Sequence, residues 1–326
     1  MSKKIQSDLI PNEMNQTEAA PEETSLQAIA AEEMLQKNSG KSPYTVKKSM
    51  GMGTIRVIAY LVLTALSVLC LIWFYLLFIN ATRSHSQITT GVSFVPGDQL
   101  LNNLKKLQNS TLDFFRGTLN SAIIAFSSAI LNVYFSMMTA YAIHAYRFKG
   151  RKAVHVFILA IMMIPTQVTS LGFYRLVVDT LKMKDSFIPL IVPSIAAPVT
   201  YFYIVQYMKS NLPMSLIEAA RIDGCFEVSI LNRIVLPLMK PALAVQLIFA
   251  FVASWNNYYM PAMILSSSKK RTLPILIYTL RAATEKDKDL GFQYVAMALS
   301  VLPVIVVYIF FAKNIVGGVS VGGVKE

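Results

Sequence analysis

Five charged residues, Glu218, Arg221, Asp223, Glu227 and Arg233, fall inside "EAARIDGCFEVSILNRIVLP" (218–237), a polar passage set between two long apolar stretches. Their spacing suits contact rather than catalysis. On a helix Glu218 shares a face with Arg221 and Ile222, at i, i+3 and i, i+4. Ala219 and Ala220 keep that surface shallow, so another protein can come close, and Gly224 permits a sharp reversal. A second set is uncharged and lies in or beside the apolar stretches: Asn120, Asn132, Gln167, Gln206, Gln246, Ser254, Trp255, Asn256 and Asn257. Asn and Gln both donate and accept hydrogen bonds, which suits a hydroxyl-rich solute, and Trp adds a flat face. The alternative for each is packing, since the same residue types hold helices together in lipid. Asn132, Gln246, Trp255, Asn256 and Asn257 are the leading candidates for a solute path.

Catalytic groups are absent from the sequence. It contains no Ser–His pairing, aspartate dyad, HExxH or Walker A glycine loop, so the chain is expected to be neither a hydrolase nor an ATPase by itself. Cys70 and Cys225 make no disulfide framework, and with the scattered His85, His144 and His155 they offer no metal-ligand spacing. No cofactor or metal is expected on this chain.

The elements that must carry these residues are membrane spans. Of 326 residues, 54% are hydrophobic and 15% charged, where a soluble domain carries about 25% charged residues. The net charge of +12 sits mostly in short stretches beside apolar runs, which marks membrane orientation rather than nucleic-acid binding. Residues 1–50 read as a cytoplasmic, disordered extension and 51–326 as the transmembrane domain. Six spans are expected, at about 57–79, 114–146, 153–178, 187–208, 241–265 and 292–312. Pro165 and Gly172 predict a kink in the third, and three prolines break the fourth. The fold class is therefore all-α and polytopic.

Orientation follows from Lys and Arg. "RFKGRK" after the second span, and Lys41, Lys47, Lys48 and Arg56 before the first, belong inside. Six spans then put both termini and the 209–240 passage in the cytoplasm of a cell-membrane protein. The loop "SSSKKRTLPILIYTLRAATEKDKD" (266–289) conflicts, being basic yet counted outside.

The polar passage itself reads as a knob. Asn211 and Pro213 open a short helix, Gly224 closes it, and a second short element ends at Leu236-Pro237 before the fifth span. An amphipathic helix lying on the headgroups is the alternative from spacing alone. Glu218-Ala219-Ala220, Gly224, Ile234 and Leu236-Pro237 at their fixed distances resemble the EAA signature of ABC-importer permeases. "EAARIDG", "LPLMKPAL", "FAFVASWNNYYMPAMIL" (249–265), "TLPILI" (272–277), the segment 289–310, the tail "GGVSVGGVKE" and "FRGTLNSAIIA" (115–125) are similar to carbohydrate-importer permeases of the maltose-permease type.

That resemblance covers about 55–326 and implies a specific division of labour. The loop 211–237 would be a cytoplasmic coupling helix docked in an ATPase. Glu218 would make a charged or capping contact there, Ala219 and Ala220 would give room, Gly224 would set the turn, and Arg221, Asp223, Leu236 and Pro237 complete the motif. Partners would be a second homologous permease, two ATPase subunits that use the ATP, and an extracytoplasmic substrate-binding protein, with a sugar as cargo. A permease for a non-sugar solute shares the EAA feature. An ion-driven secondary transporter would place ionisable groups mid-span, and these spans have almost none.

Overall fold

The computed structural model describes residues 51–282 and 289–322, with side chains over 55–282 and 289–312. The expected N-terminal extension lies outside the described residues. The chain divides into two compact units, residues 1–68 and 69–326. The described part of the first unit is the start of helix α1 (Gly51–Ala81), whose side chains 55–68 are all exposed. A helix that is apolar all round is suited to lipid.

The regular elements of the second unit are all helices among its described residues. After α1 come α2 (His85–Thr89), α3 (Leu100–Gln108), α4 (Phe114–Ala145), α5 (Arg151–Ile161), α6 (Thr166–Arg175), α7 (Ile188–Ile191), α8 (Pro198–Asn211), α9 (Met214–Ile222), α10 (Glu227–Ile230), α11 (Leu236–Trp255), α12 (Tyr259–Ile264), α13 (Leu273–Arg281) and α14 (Leu290–Gly322). Five stretches are long and apolar enough to cross a membrane: Ile55–Ala81, Phe114–Ala145, Ile188–Asn211, Glu227–Trp255 and Leu290–Ala312. A sixth arises if α5 and the segment Thr166–Thr180 count together.

Helix α4 is the spine. At one end Met137, Ala140 and Tyr141 pack with Tyr201, Met208, Ile217, Ile230, Val235 and Met239. At the other, Phe114, Ala125 and Ala129 pack with Phe251, Trp255, Leu273 and Ala296. α11 runs through both cores, so α4 and α11 tie the two ends together. Ser121, Ser128, Ser136, Ala125, Ala129 and Ala140 are all buried on α4, the small residues that allow close helix approach in lipid. Near the second core Asn103 donates to the carbonyls of Ala81 and Arg83. Any side chain at Gly291 would collide with that Arg83 carbonyl, which fixes glycine at the start of α14.

Two spans differ from expectation. The third is no kinked helix: α5 and α6 meet at 92°. Pro165 has no N–H and holds itself extended (ψ 127°) as the N-cap of α6, so the ladder stops at Ile161 and restarts at Thr166. Gly172 lies inside α6 and makes no bend. The fifth begins much earlier than 241. Helix runs from Glu227 through a π turn (Leu231–Val235) into α11, and Pro237 sits in the first turn of α11 instead of terminating anything. The Leu236 N–H reaches back five residues to the Leu231 carbonyl. That widened turn makes room for the proline ring, which a regular α ladder would not. The span stops at Trp255 rather than 265, where Asn256 and Asn257 break the ladder before α12.

The basic loop finds its place at the spine's far end. Asn120 donates to the carbonyls of Lys269 and Arg271, at 3.0 and 2.9 Å. Asn120 lies about 30 Å of helix rise from Tyr141, where the polar passage docks. The basic segment 269–271 and the polar passage thus lie at opposite ends. Asp185 holds this loop locally, its Oδ1 accepting from the N–H groups of Ser266 and Ser267 at 3.0 Å each while its carbonyl accepts from Lys270.

Candidate functional site: a bolted polar loop and two membrane cavities

The polar passage is a turn on a rigid base. α9 opens after Pro213, and its N-terminal side is tied to α4 through His144, whose Nε2 lies 3.1 Å from the Leu212 carbonyl. Ile217, Ile230, Leu231 and Val235 are buried in the first core. Between α9 and α10, Gly224 takes φ +77°, the left-handed region that favours glycine, and Cys225 N–H caps the Ala220 carbonyl at 3.0 Å. Apart from its two chain neighbours, no described residue lies within 4 Å of where a Gly224 Cβ would stand.

Charge braces this turn from within. Arg221 Nε donates to Glu227 Oε1 at 2.6 Å, across the reversal, and the Tyr141 hydroxyl donates to Glu227 Oε2 at 2.7 Å. The Arg221 guanidinium also lies over the Tyr146 ring, 5.1 Å from its centre, in cation–π geometry. The anticipated Glu218–Arg221 face therefore does not pair. Glu218 is exposed and free of hydrogen bonds among the described residues, while Arg221 turns to Glu227. Ala219 is exposed, whereas Ala220 is only 6% exposed and faces the chain's own core, so only Ala219 offers room to an incoming surface. Asp223 caps α9 in the open, Leu236 is half-buried and Pro237 is exposed. The pairing of Glu227, and Tyr141 and Tyr146 altogether, escaped the sequence reading. Glu227 lies within the polar passage, and its pairing follows once the chain reverses at Gly224; the two tyrosines gave no signal.

At the tip, Ile222 is 87% and Phe226 85% exposed. Large apolar side chains crowning a polar turn mark a contact surface.

The solute-path candidates do not converge on one point. Gln246 is 5% exposed within α11, and Asn132 on α4 has a buried Oδ1 with no hydrogen-bond partner. Trp255 is 2% exposed: it stacks on Phe251, with centroids 5.6 Å apart, and donates its indole N–H to the Ser300 carbonyl at 3.1 Å. One edge of it and the exposed Asn256 border a cavity of about 330 Å³ with Tyr258, Tyr278 and Arg281. Asn257 turns to a larger cavity of about 820 Å³ with Gln167 and Ser170. Trp255 thus acts first as packing. Trp255→Ala is expected to destabilise the purified protein by about 3–5 kcal/mol, the range for a buried aromatic. Trp255→Phe keeps the stack and loses one hydrogen bond, about 1 kcal/mol. Thermal unfolding in detergent orders the two; an unchanged melting profile in Trp255→Ala would move this residue into the path.

Five helices long and apolar enough to cross a membrane, with a sixth span broken at Pro165, define a multi-pass integral membrane protein. The chain belongs to the family of binding-protein-dependent transport system inner membrane components, which it matches over residues 132–321. It is 32% identical over 283 residues to the arabinooligosaccharides transport system permease protein AraQ of Bacillus subtilis, covering 86% of this chain and 99% of that one. It is 31% identical over 271 residues to the maltodextrin transport system permease protein MdxG of the same organism, covering 83% and 96%. In fold it resembles a chain of a bacterial ABC transporter involved in the import of the acidic polysaccharide alginate, with TM-score 0.70, 21% identity, and coverage of 81% and 98%.

Proposed function

We propose that this chain is one permease half of an ATP-driven importer for an oligosaccharide, and that the turn 211–237 is where it docks on the ATPase. The observation that carries the coupling is the contrast within the loop: a base fixed by core packing and the Arg221–Glu227–Tyr141 brace, and a tip with exposed Glu218, Ala219, Ile222 and Phe226. A soft loop would absorb a push; this one transmits it to α4 and α11. The relatives' names, arabinooligosaccharides and maltodextrin, support a sugar cargo.

The rest of the cycle follows from that assignment. ATP binding closes a pair of ATPase subunits, the loop moves with them, and the bundle rocks between two openings, to the extent that the two states differ in affinity for nucleotide and solute. Hydrolysis belongs to the ATPase pair. A second homologous permease completes the path, and an extracytoplasmic binding protein delivers the solute. The "RFKGRK" stretch and the loop 211–237 face the cytoplasm, with both termini.

Cys225, exposed beside Gly224, gives the test. With Cys70 replaced by serine, a membrane-impermeant maleimide is expected to label Cys225 in inside-out vesicles and not in right-side-out ones. Bound ATPase subunits are expected to protect it. Labelling from outside, or equal labelling with and without ATPase, would overturn the coupling assignment.

A further inference from the structure

We propose that this chain carries its own solute subsite, for an uncharged hydroxyl-rich ring, in the cavity where the broken third span meets the end of α11. The inference rests on the importer reading and adds which residues of this subunit touch the cargo and what charge that cargo has there.

The cavity holds about 820 Å³, within the roughly 300–1,000 Å³ typical of small-molecule sites. Three breaks in helix converge on it. The first turns of α6 supply Thr166, Gln167, Thr169 and Ser170; the proline-broken segment supplies Pro189 and Pro193; the end of α11 and the start of α12 supply Asn257 and Tyr259.

The lining is mostly apolar, and the polar groups set into it carry no charge. Among the described residues, no Lys, Arg, His, Asp or Glu contributes to it. An acidic or phosphorylated cargo would meet no counter-charge, and its desolvation would go uncompensated. A neutral sugar would not suffer that penalty. The hydrogen-bonding capacity is partly unspent. Ser170 and Thr169 donate to the carbonyls of Gln167 and Thr166, at 2.7 and 3.0 Å; the Ser170 oxygen also lies 3.5 Å from the Tyr259 hydroxyl, while the Thr169 oxygen keeps its capacity to accept. The Gln167 amide nitrogen and both polar atoms of the Asn257 side chain make no hydrogen bond among the described residues. An amide pair presenting donors and acceptors together matches vicinal hydroxyls. Phe173 and Tyr259 supply ring faces beside them.

Both amides are exposed in the single chain. Facing lipid they would be costly, so they face either a solute-filled path or the second permease. The two occupants predict different behaviour. The test uses the complete assembly of both permeases, ATPase and binding protein in proteoliposomes, with radiolabelled maltotriose and arabinotriose as probes and a trimer of galacturonate as the acidic control. Gln167→Leu and Asn257→Leu are each expected to lower the saturated uptake rate roughly three- to tenfold, the effect of losing one or two hydrogen bonds. The second permease should co-purify as before. Thr169→Cys should react with a small maleimide more slowly when the transported neutral trimer is present, and at an unchanged rate with the galacturonate trimer. Wild-type uptake in both leucine variants, or loss of the second permease from them, overturns the subsite while leaving the importer reading intact. Absence of ATP-driven uptake in the wild type removes the importer reading for these sugars, and the subsite falls with it.

Discussion

Gly224→Asp is expected to take ATP-driven uptake to background while the chain still inserts and assembles with its partner permease. Backbone strain and contact with a docked surface act together. A side chain at φ +77° sits in the left-handed region, which for most L-residues costs about 1–2 kcal/mol. Aspartate tolerates that region better than most, so strain alone would not abolish transport. Contact is the stronger effect. Apart from its two chain neighbours, no described residue lies within 4 Å of a Cβ at this position, so a steric penalty must come from a surface pressed against the turn. A carboxylate here also stands beside Asp223, adding a second negative charge to the tip. Gly224→Asn separates charge from bulk, because asparagine shares the left-handed tolerance without the charge. Uptake that survives in Asn and fails in Asp assigns the loss to charge at the docked surface. Failure of both with normal insertion assigns it to the space a docked partner needs. Normal uptake in Gly224→Asp would remove the coupling role from this turn.

The fold and the site are unevenly legible in the sequence, for physical reasons. The spans are readable because lipid demands long apolar runs, and α4 and α14 begin within two residues of where hydropathy puts them. The turn at Gly224 is readable because a positive φ restricts the residue type. Composition fails at proline. Pro165 and Pro237 look alike as helix breakers, yet one ends a helix in a 92° bend and the other rides inside a continuous one. The difference is the π turn at Leu231–Val235, set by packing of Leu231 and Val235 in the first core, a long-range fact. The candidate path is legible as residue types only. Trp255 and Asn257, two residues apart, part company because the helix ends between them: Trp255 turns inward on Phe251 and Asn257 faces the larger cavity. The charge pairing is hidden for a related reason: helical spacing sets Glu218 on a face with Arg221, but a reversal brings Glu227, six residues on, to 2.6 Å from Arg221.

Glu227 is where the second large effect is expected. Glu227→Gln should leave the ATPase bound and its basal hydrolysis intact, yet lower coupled uptake about tenfold, within the range of a 1–3 kcal/mol coupling energy. The pair is partly exposed, and such pairs add about 0–1 kcal/mol to stability, so folding is not the main casualty. Orientation is. One carboxylate holds Arg221 on α9 and Tyr141 on the spine at the same time, with its two oxygens. Glutamine can still accept from Arg221 with its oxygen and donate to the Tyr141 oxygen with its nitrogen, but both contacts lose the negative charge that strengthens them, so the clamp weakens at both ends. The base of the turn loosens, and movement at the tip is spent there instead of reaching α4. Tyr141→Phe removes only the spine contact and should give a smaller loss of the same kind, with the Arg221–Glu227 pair intact. A double variant measures whether they act as one unit: if the brace transmits the stroke, adding Tyr141→Phe to Glu227→Gln lowers uptake no further. Additive losses, or uptake that falls only in step with ATPase release, would make the brace a docking determinant and place force transmission elsewhere in the loop.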